Sequence, residues 1–279
     1  MKFSWFPGHM KKSLKELKEA LPSVDVVIFM LDARVPASSF NYDLEKLVSG
    51  KKILFTINKT DLASPAVTSA WLNHFKGQGK NVVAISSKKG SIKSLIDVLE
   101  KFRSEICEAR AKRGRVGKTI RIMAVGVPNS GKSTIINRLA KKSVSPTGKK
   151  AGLTRGFHWL SIGNDMELLD MPGIFYPKLK SEDSAWHLAA VGAARDVAFP
   201  VDDLSYEILK FLKEREHEFT ADIDVSSAES ALNGAGKKRN FIKAGGNVDY
   251  DRTAMWVMTN FRDGKFGAFS LEFPEIEEK

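Results

Sequence analysis

Two short polar runs in this chain carry residue types that bind a nucleotide. Asn58, Lys59 and Asp61 stand in NKTD, and Lys132 and Ser133 end the run GVPNSGKS. An aspartate placed this way accepts hydrogen bonds from guanine N1–H and the exocyclic amine, whereas adenine offers no matching donor pair. Glycines around a lysine and a hydroxyl let backbone N–H groups surround phosphate oxygens. The two runs together predict a site for GTP and GDP.

The context of the second run supports a phosphate loop. A predicted strand, 119–126, precedes it, and a predicted helix opens at its end. Lys132 is predicted to reach the β- and γ-phosphates, and the Ser133 hydroxyl to ligate Mg²⁺. The predicted phosphate-contacting residues are Pro128, Asn129, Ser130, Gly131, Lys132, Ser133 and Thr134.

Two later segments predict the γ-phosphate sensors. DMPG (170–173) ends another predicted strand, so Asp170 is expected to hold Mg²⁺ through water and Gly173 to sense the γ-phosphate through its N–H. Thr154, in GLTRG, is the candidate switch threonine that closes on Mg²⁺. An ordinary surface threonine is the alternative reading of that residue.

The base-reading run has a predicted helper. Asn58 is expected to tie its loop and approach N7, and the stem of Lys59 to cover the ring face. Ser86, Ser87 and Lys88 follow the next predicted strand, where they can present backbone N–H groups to guanine O6. Alone, NKTD is compatible with a polar turn, but the phosphate loop makes a guanine site the stronger reading.

Apolar runs that alternate with helical segments predict the fold. Strands are expected at 24–34, 51–61, 81–90, 119–126 and 165–173, with polar functional runs at their carboxyl ends. This pattern is typical of a doubly wound α/β sheet. We predict a GTPase domain over 1–180 and a small helical, RNA-binding domain over 181–279, in which 233–247 is a loop and Asp249 caps a helix.

The charge predicts a polyanionic partner. The formal net charge is +11 and the isoelectric point about 9.6, which favours nucleic acid over an anionic membrane. The sequence has no apolar run of about 18 residues, and its one cysteine, Cys107, excludes an intrachain disulfide. A cytoplasmic protein without a membrane partner is expected. The residues predicted to contact RNA are Lys237, Lys238, Arg239 and Lys243, although a solvated basic face is the alternative.

Several runs carry a family resemblance. They are WFPGHM (5–10), DAR (32–34), NKTD (58–61), GVPNSGKST (126–134), DMPGIFYPK (170–178) and GGNVDYDRTA (245–254). With its base-reading run ahead of its phosphate loop, the chain resembles the circularly permuted GTPases of the YlqF family. The resemblance implies a Mg²⁺-dependent GTPase that acts in late assembly of the large ribosomal subunit and contacts rRNA. Off the ribosome we expect a monomer.

The resemblance also bears on catalysis. Many GTPases place a glutamine after DxxG to orient the attacking water, and here Ile174 stands there. Slow intrinsic hydrolysis, stimulated by the ribosomal subunit, is therefore expected. The family suggests His9 as the substitute, with a packed or capping histidine as the alternative. In related GTPases an asparagine at the position of Asn129 binds K⁺, and a loop-stabilising role is the alternative.

Two other functions remain open from the sequence. The first is a GTP-gated RNA-binding or scaffold protein in which hydrolysis is incidental, and Ile174 leaves that alternative open. The second is a mitochondrial homologue of the same family, which the absence of a Ser/Arg-rich presequence disfavours.

Overall fold

The computed structural model describes residues 8–115, 117–142, 159–170, 182–194 and 200–274. They form two units: one contains a six-stranded sheet, and the other, within 182–269, is helical. In the part of the chain that the structure describes, no helix is long and apolar enough to cross a membrane. The strands are β1 (Val26–Asp32), β2 (Lys52–Asn58), β3 (Val82–Ala84), β4 (Ile120–Gly126), β5 (Trp159–Gly163) and β6 (Met166–Asp170). The helices of the sheet unit are α1 (Gly8–Ala20), α2 (Pro36–Ser39), α3 (Tyr42–Val48), α4 (Pro65–Gly77), α5 (Lys93–Ala111) and α6 (Lys132–Lys142).

The sheet has the order β3-β2-β1-β4-β6-β5. All strands except β5 run parallel to one another. All seven residues of β1 are buried, as expected of a central parallel strand covered on both faces. Successive side chains point to opposite faces, so one set packs with residues of α1, α3 and α4 and the other with residues of α5 and α6. The first set is Val27, Phe29 and Leu31, and the second is Val26, Ile28 and Met30. The predicted doubly wound α/β sheet is confirmed.

The strand β5 is an addition to the predicted pattern. It pairs antiparallel with β6, and a two-residue turn of Asn164 and Asp165 joins them. Both turn residues have positive φ, 49° and 55°, which is the requirement of a type I′ hairpin turn. The five-residue run is too short for periodicity to reveal it, whereas the Asn-Asp pair is a usable turn signal.

The helical unit consists of α7 (Glu182–Ala190), α8 (Val201–Glu214), α9 (Ala228–Lys238) and α10 (Tyr250–Arg262). Helix α9 packs so closely against Val248 that a Cβ on Gly236 would overlap the Val248 side chain. The predicted loop over 233–247 is wrong in its first half, since Lys237 and Lys238 lie in the last turn of α9. The predicted cap is confirmed: the Asp249 side chain accepts a hydrogen bond of 3.2 Å from the N–H of Arg252.

The last described residues belong to the sheet unit. The N–H of Leu271 donates to the Arg34 carbonyl at 2.8 Å, and the Trp71 indole donates to the Glu272 carbonyl at 3.1 Å. The Glu272 carboxylate accepts from the N–H of Ala37 at 2.7 Å and of Ser38 at 3.0 Å. The predicted second domain, 181–279, therefore extends beyond the helical unit, because 270–274 pack against the sheet unit.

Replacing Glu272 with alanine is expected to destabilise the sheet unit. The side chain is 9% exposed, so its loss leaves two backbone N–H groups without their charged acceptor. The free energy of unfolding should fall by about 1–3 kcal/mol, measured by urea titration with tryptophan fluorescence. Phe273→Ala is the matched control, since Phe273 is in the same segment and 61% exposed. Equal stability of the two variants would contradict this role for the carboxylate.

Candidate nucleotide-binding site

The parallel sheet brings the two polar runs to one edge. Asn58 ends β2 and Gly126 ends β4, and both strands flank β1. Within the sheet, Asn58 lies opposite Asp32 and Gly126 opposite Met30. Because carboxyl ends of parallel strands share an edge, the two runs meet although the chain supplies them in the permuted order.

The glycines of the phosphate loop are required by close packing. A Cβ on Gly126 would overlap the carbonyl oxygen of Met30, and a Cβ on Gly131 would overlap the side-chain amide of Asn58. Their φ angles are +145° and +97°, which residues other than glycine rarely adopt. Asn129 also has a left-handed backbone, with φ of 56°. The loop thus turns its backbone sharply ahead of α6.

Lys132, the first residue of α6, points back over the loop. Its Nζ donates to the Val127 carbonyl at 2.9 Å and to the Gly126 carbonyl at 3.2 Å. The side chain is 6% exposed, so the ammonium lies inside the curve of the loop. Because the lysine stem is flexible, the ammonium can move from these carbonyl oxygens to the oxygens of a phosphate bound by the loop.

Asn58 joins three segments through one buried amide. Its Nδ2 donates to the Ser130 carbonyl at 2.7 Å and to the Ser87 hydroxyl at 3.0 Å. Its Oδ1 accepts from the Ser87 N–H at 2.8 Å. The residue is 0% exposed, so these bonds replace all contact with water. The predicted loop-tying role of Asn58 is therefore seen, and it extends to the phosphate loop.

Lys59 is held by a buried carboxylate. Its backbone is left-handed, with φ of 63°, and its Nζ lies 2.8 Å from Oδ2 of Asp32. Arg34 contacts the same carboxylate through Nε at 3.0 Å and Nη2 at 2.9 Å. Burial raises the pKa of the Asp32 carboxyl, but the charges of Arg34 and Lys59 outweigh it and hold the pKa well below its usual range.

Asp32 and Arg34 are functional neighbours that the sequence patterns did not single out. The run DAR was noted only as part of a resemblance. The signal in the sequence is an aspartate and an arginine at the end of a fully buried strand, since buried charges need partners of opposite sign. In the structure Asp32 has two such partners, Arg34 and Lys59.

Asp61 is tied to the third loop of the site. Its Oδ1 accepts from the Ser86 hydroxyl at 2.7 Å, and the same hydroxyl accepts from the Lys89 N–H at 2.9 Å. The 86–90 loop is thereby fixed beside the base-reading run. Hydrogen bonds join Asn58 to Ser87 and Ser130, and Asp61 to Ser86. The other predicted residues that the structure describes belong to the same three segments: Lys59, Lys88, Pro128, Asn129, Gly131, Lys132, Ser133 and Thr134.

The elements that would hold Mg²⁺ lie side by side. Ser133 is in the first turn of α6, and Asp170 ends β6 opposite Ala124 of β4, the strand that leads into the phosphate loop. Hydroxyl and carboxylate oxygens are the ligands that Mg²⁺ prefers. The residue types and their strand and helix positions fit this cation.

Three predicted catalytic residues cannot be placed at the site. Thr154 and Gly173 lie outside the described residues, as does Ile174. The backbone of His9 lies in the first turn of α1, while its side chain is outside the described part. Their roles stay predictions.

The predicted RNA-contacting residues are all exposed in the helical unit. Lys238 pairs with Asp222, and Lys243 lies 3.4 Å from Asp249. The Arg239 guanidinium lies 4.7 Å from the centroid of the Trp256 ring. Lys238, Arg239 and Lys243 therefore have partners within the helical unit while remaining exposed to solvent.

The fold and these loops define a P-loop GTPase whose motifs are circularly permuted. Residues 121–229 match a family model described as "50S ribosome-binding GTPase". Ribosome biogenesis GTPase A of Bacillus pumilus is 37% identical, over 99% of this chain and all of that protein. The chain belongs to the ribosome biogenesis GTPase A family, also named YlqF; it binds GTP and GDP and hydrolyses GTP.

More distant comparisons agree with that placement. A GNP-bound crystal structure of YlqF from T. maritima has a TM-score of 0.67 and 30% identity, covering 95% of this chain and 99% of that one. Mitochondrial GTPase 1 of Schizosaccharomyces japonicus is 29% identical over 99% of this chain and 92% of that protein. Both of these proteins are similar to this chain over nearly its whole length.

Replacing Asp32 with asparagine is expected to destabilise the sheet unit strongly. Arg34 and Lys59 would lose their buried counter-charge, so the free energy of unfolding should fall by about 3–5 kcal/mol. Because the folded pKa is lowered, the contribution of the ionised carboxylate is present above the unfolded pKa of about 4 and is lost as the pH falls further. Urea titrations should give a constant difference from wild type between about pH 5 and about pH 8. Asp97→Asn, on the exposed face of α5, is the control, and a comparable loss there would contradict the buried-charge argument.

Proposed function

We propose that this chain is a GTP-controlled switch that binds the large ribosomal subunit and promotes its late assembly in the cytoplasm. The observation that carries the proposal is its end-to-end similarity to a protein named ribosome biogenesis GTPase A. The description of the matching family model, "50S ribosome-binding GTPase", supports the same partner. The net charge of +11 suits rRNA as the surface contacted. Off the ribosome the protein is a monomer in this proposal.

Guanine recognition rests on the loops that Asn58 joins. Asp61 accepts from N1–H and the exocyclic amine, and the stem of Lys59 covers the ring face. A backbone N–H of the 86–88 segment donates to O6, while Asn58 stays within reach of N7. Since Ser86 fixes one oxygen of Asp61 at 2.7 Å, the carboxylate is oriented before the nucleotide arrives.

Phosphate binding uses the curve of the phosphate loop. The backbone N–H groups of 128–134 and the start of α6 surround the phosphate oxygens. Lys132 exchanges its carbonyl partners for β- and γ-phosphate oxygens. Ser133, Thr154 and Asp170 would hold Mg²⁺, which neutralises charge on the β- and γ-phosphates. Thr154 and the Gly173 N–H report whether the γ-phosphate is present.

Hydrolysis is slow in the isolated protein and stimulated by the ribosomal subunit. The side chain of Ile174 has no polar group that could orient the attacking water. His9 supplies that polar group when the particle is bound. Asn129, with its left-handed backbone in the phosphate loop, offers its carbonyl oxygen to K⁺ beside the phosphates. Release from the particle follows loss of the γ-phosphate.

Asp61→Asn is expected to exchange guanine for xanthine specificity. The amide can donate to the O2 carbonyl of xanthine, and its oxygen still accepts from the Ser86 hydroxyl, so the loop is preserved. Affinity for GTP should fall at least about tenfold while affinity for XTP rises, because a charged acceptor of two donors is lost. Competition against a ribose-labelled nucleotide measures both. GTP binding equal to that of wild type would refute the assignment of Asp61.

Particle binding tests the proposed partner. Wild type should co-sediment with large-subunit particles more tightly with a GTP analogue than with GDP. Replacing Lys237, Lys238 and Arg239 together with alanine should weaken binding and lower the salt dependence by about two to three phosphate contacts. The control is a triple alanine variant of Lys76, Lys93 and Lys101, which removes the same charge from exposed positions of the sheet unit.

The outcomes separate the proposal from its rivals. Particle binding that is independent of both the nucleotide and the charges of Lys237, Lys238 and Arg239 would refute the switch. Nucleotide-dependent binding with unstimulated hydrolysis would support a GTP-gated RNA-binding protein instead. Equal effects of the two triple variants would show a nonspecific charge effect.

A further inference from the structure

An arginine on α6, the helix that follows the phosphate loop, contacts the 86–90 loop. Arg138 lies in α6, six residues after Lys132. Its Nη1 donates to the carbonyls of Ser86 at 3.1 Å and Ser87 at 3.2 Å, and its Nη2 donates to the carbonyl of Gly90 at 2.8 Å. One rigid guanidinium thus holds three carbonyls of the 86–90 loop, a task suited to its planar array of donors.

Those bonds determine which way the loop directs its N–H groups. A trans peptide points its C=O and the following N–H in opposite directions. The peptide between Ser86 and Ser87 therefore has its carbonyl on Arg138 and its N–H on Asn58, at 2.8 Å. The next peptide has the Ser87 carbonyl on Arg138, so the N–H of Lys88 points away from α6. Within the described part of the chain, no acceptor contacts that N–H.

We infer that Arg138 is a positioning residue for base recognition, which aims the Lys88 N–H at O6 of guanine. This inference rests on the proposed guanine site. Asn58 and Arg138 hold the peptide between Ser86 and Ser87 from opposite sides, and Arg138 alone holds the carbonyl of the next peptide. Both residues connect the 86–90 loop to the phosphate-loop region. The N–H direction is then set before the nucleotide binds, which strengthens discrimination because no reorganisation is needed.

The predicted effect is specific to one atom of the base. Arg138→Met keeps the length of the stem and removes all donors, so the peptide of Ser87 and Lys88 can rotate. Arg138→Lys keeps the charge but replaces the planar fork by a single point donor. Arg138 makes its hydrogen bonds to the 86–90 loop and not to Asp61, which reads N1–H and the exocyclic amine, or to Lys132, which reads phosphate.

The experiment measures the affinity of the full chain for three nucleoside diphosphates by competition. GDP carries O6, the N1 proton and the 2-amino group, and IDP lacks only the 2-amino group. The riboside diphosphate of 2-aminopurine lacks O6 and the N1 proton, so its affinity for wild type is lower from the start, and the fold-change on replacing Arg138 is the quantity compared. Arg138→Met should weaken GDP and IDP alike by about tenfold, and the 2-aminopurine compound by less than about twofold. Arg138→Lys should lie between wild type and Arg138→Met. Arg103→Met, which removes an arginine bound to Glu100 on α5 at 3.0 Å, should leave all three affinities unchanged.

Each result decides between the readings. If wild type does not prefer GDP over the 2-aminopurine compound, the proposed guanine site itself fails. If wild type prefers GDP and both Arg138 variants keep that preference, the positioning role is wrong while the site stands. A uniform loss for all three nucleotides, with a lowered melting temperature, would show a purely structural arginine and also overturn the inference. Should Arg138→Met fail to fold, the same ratios for Arg138→Lys decide.

Discussion

The buried amide of Asn58 is the contact on which the nucleotide site depends. It connects the end of β2 with the Ser130 carbonyl and with both polar groups of Ser87. A buried amide that loses its partners costs about 1–3 kcal/mol, so the three segments keep one arrangement. The same amide lies where a side chain on Gly131 would have to be, which explains the glycine there. The base-reading run and the phosphate loop are therefore joined directly through this side chain.

A second constraint comes from charge buried at the end of β1. Asp32 is 1% exposed and Arg34 is 3% exposed, and neither is tolerable inside the protein without the other. Lys59 is 19% exposed and extends from this pair toward the surface. A lysine held this way would lose little further conformational freedom if its stem covered a ring, because the ion pair with Asp32 already restricts it. The energetics of the core and of the site are thus linked through one carboxylate.

Sequence reasoning recovered what local pattern determines. The parallel strands, the phosphate loop and the base-reading run each have a composition that one strand, turn or helix imposes, as Gly126 and Gly131 show. Contacts made between distant segments left no such pattern. Arg138 looks like any polar residue of an amphipathic helix, and Glu272 like part of an acidic tail, until the fold places carbonyls and N–H groups beside them. The glycines at 234 and 236 are typical of a loop, so the sequence does not reveal the helical state of Lys237 and Lys238. In the structure Gly234 lies close to Ile223, and Gly236 packs against Val248.

The return of residues 270–274 to the sheet unit has a consequence for synthesis. The Trp71 indole finds its acceptor at Glu272, a sequence separation of 201 residues, and that interval includes the entire helical unit. At about 5–20 residues per second, translation takes about 10–40 s to cover the interval. Throughout that time the nascent sheet unit has the N–H groups of Ala37 and Ser38 and the indole of Trp71 without their final partners. The contacts of Arg34, Ala37 and Trp71 with residues 271–272 therefore form last, after strands β1 to β6 have emerged from the translating ribosome.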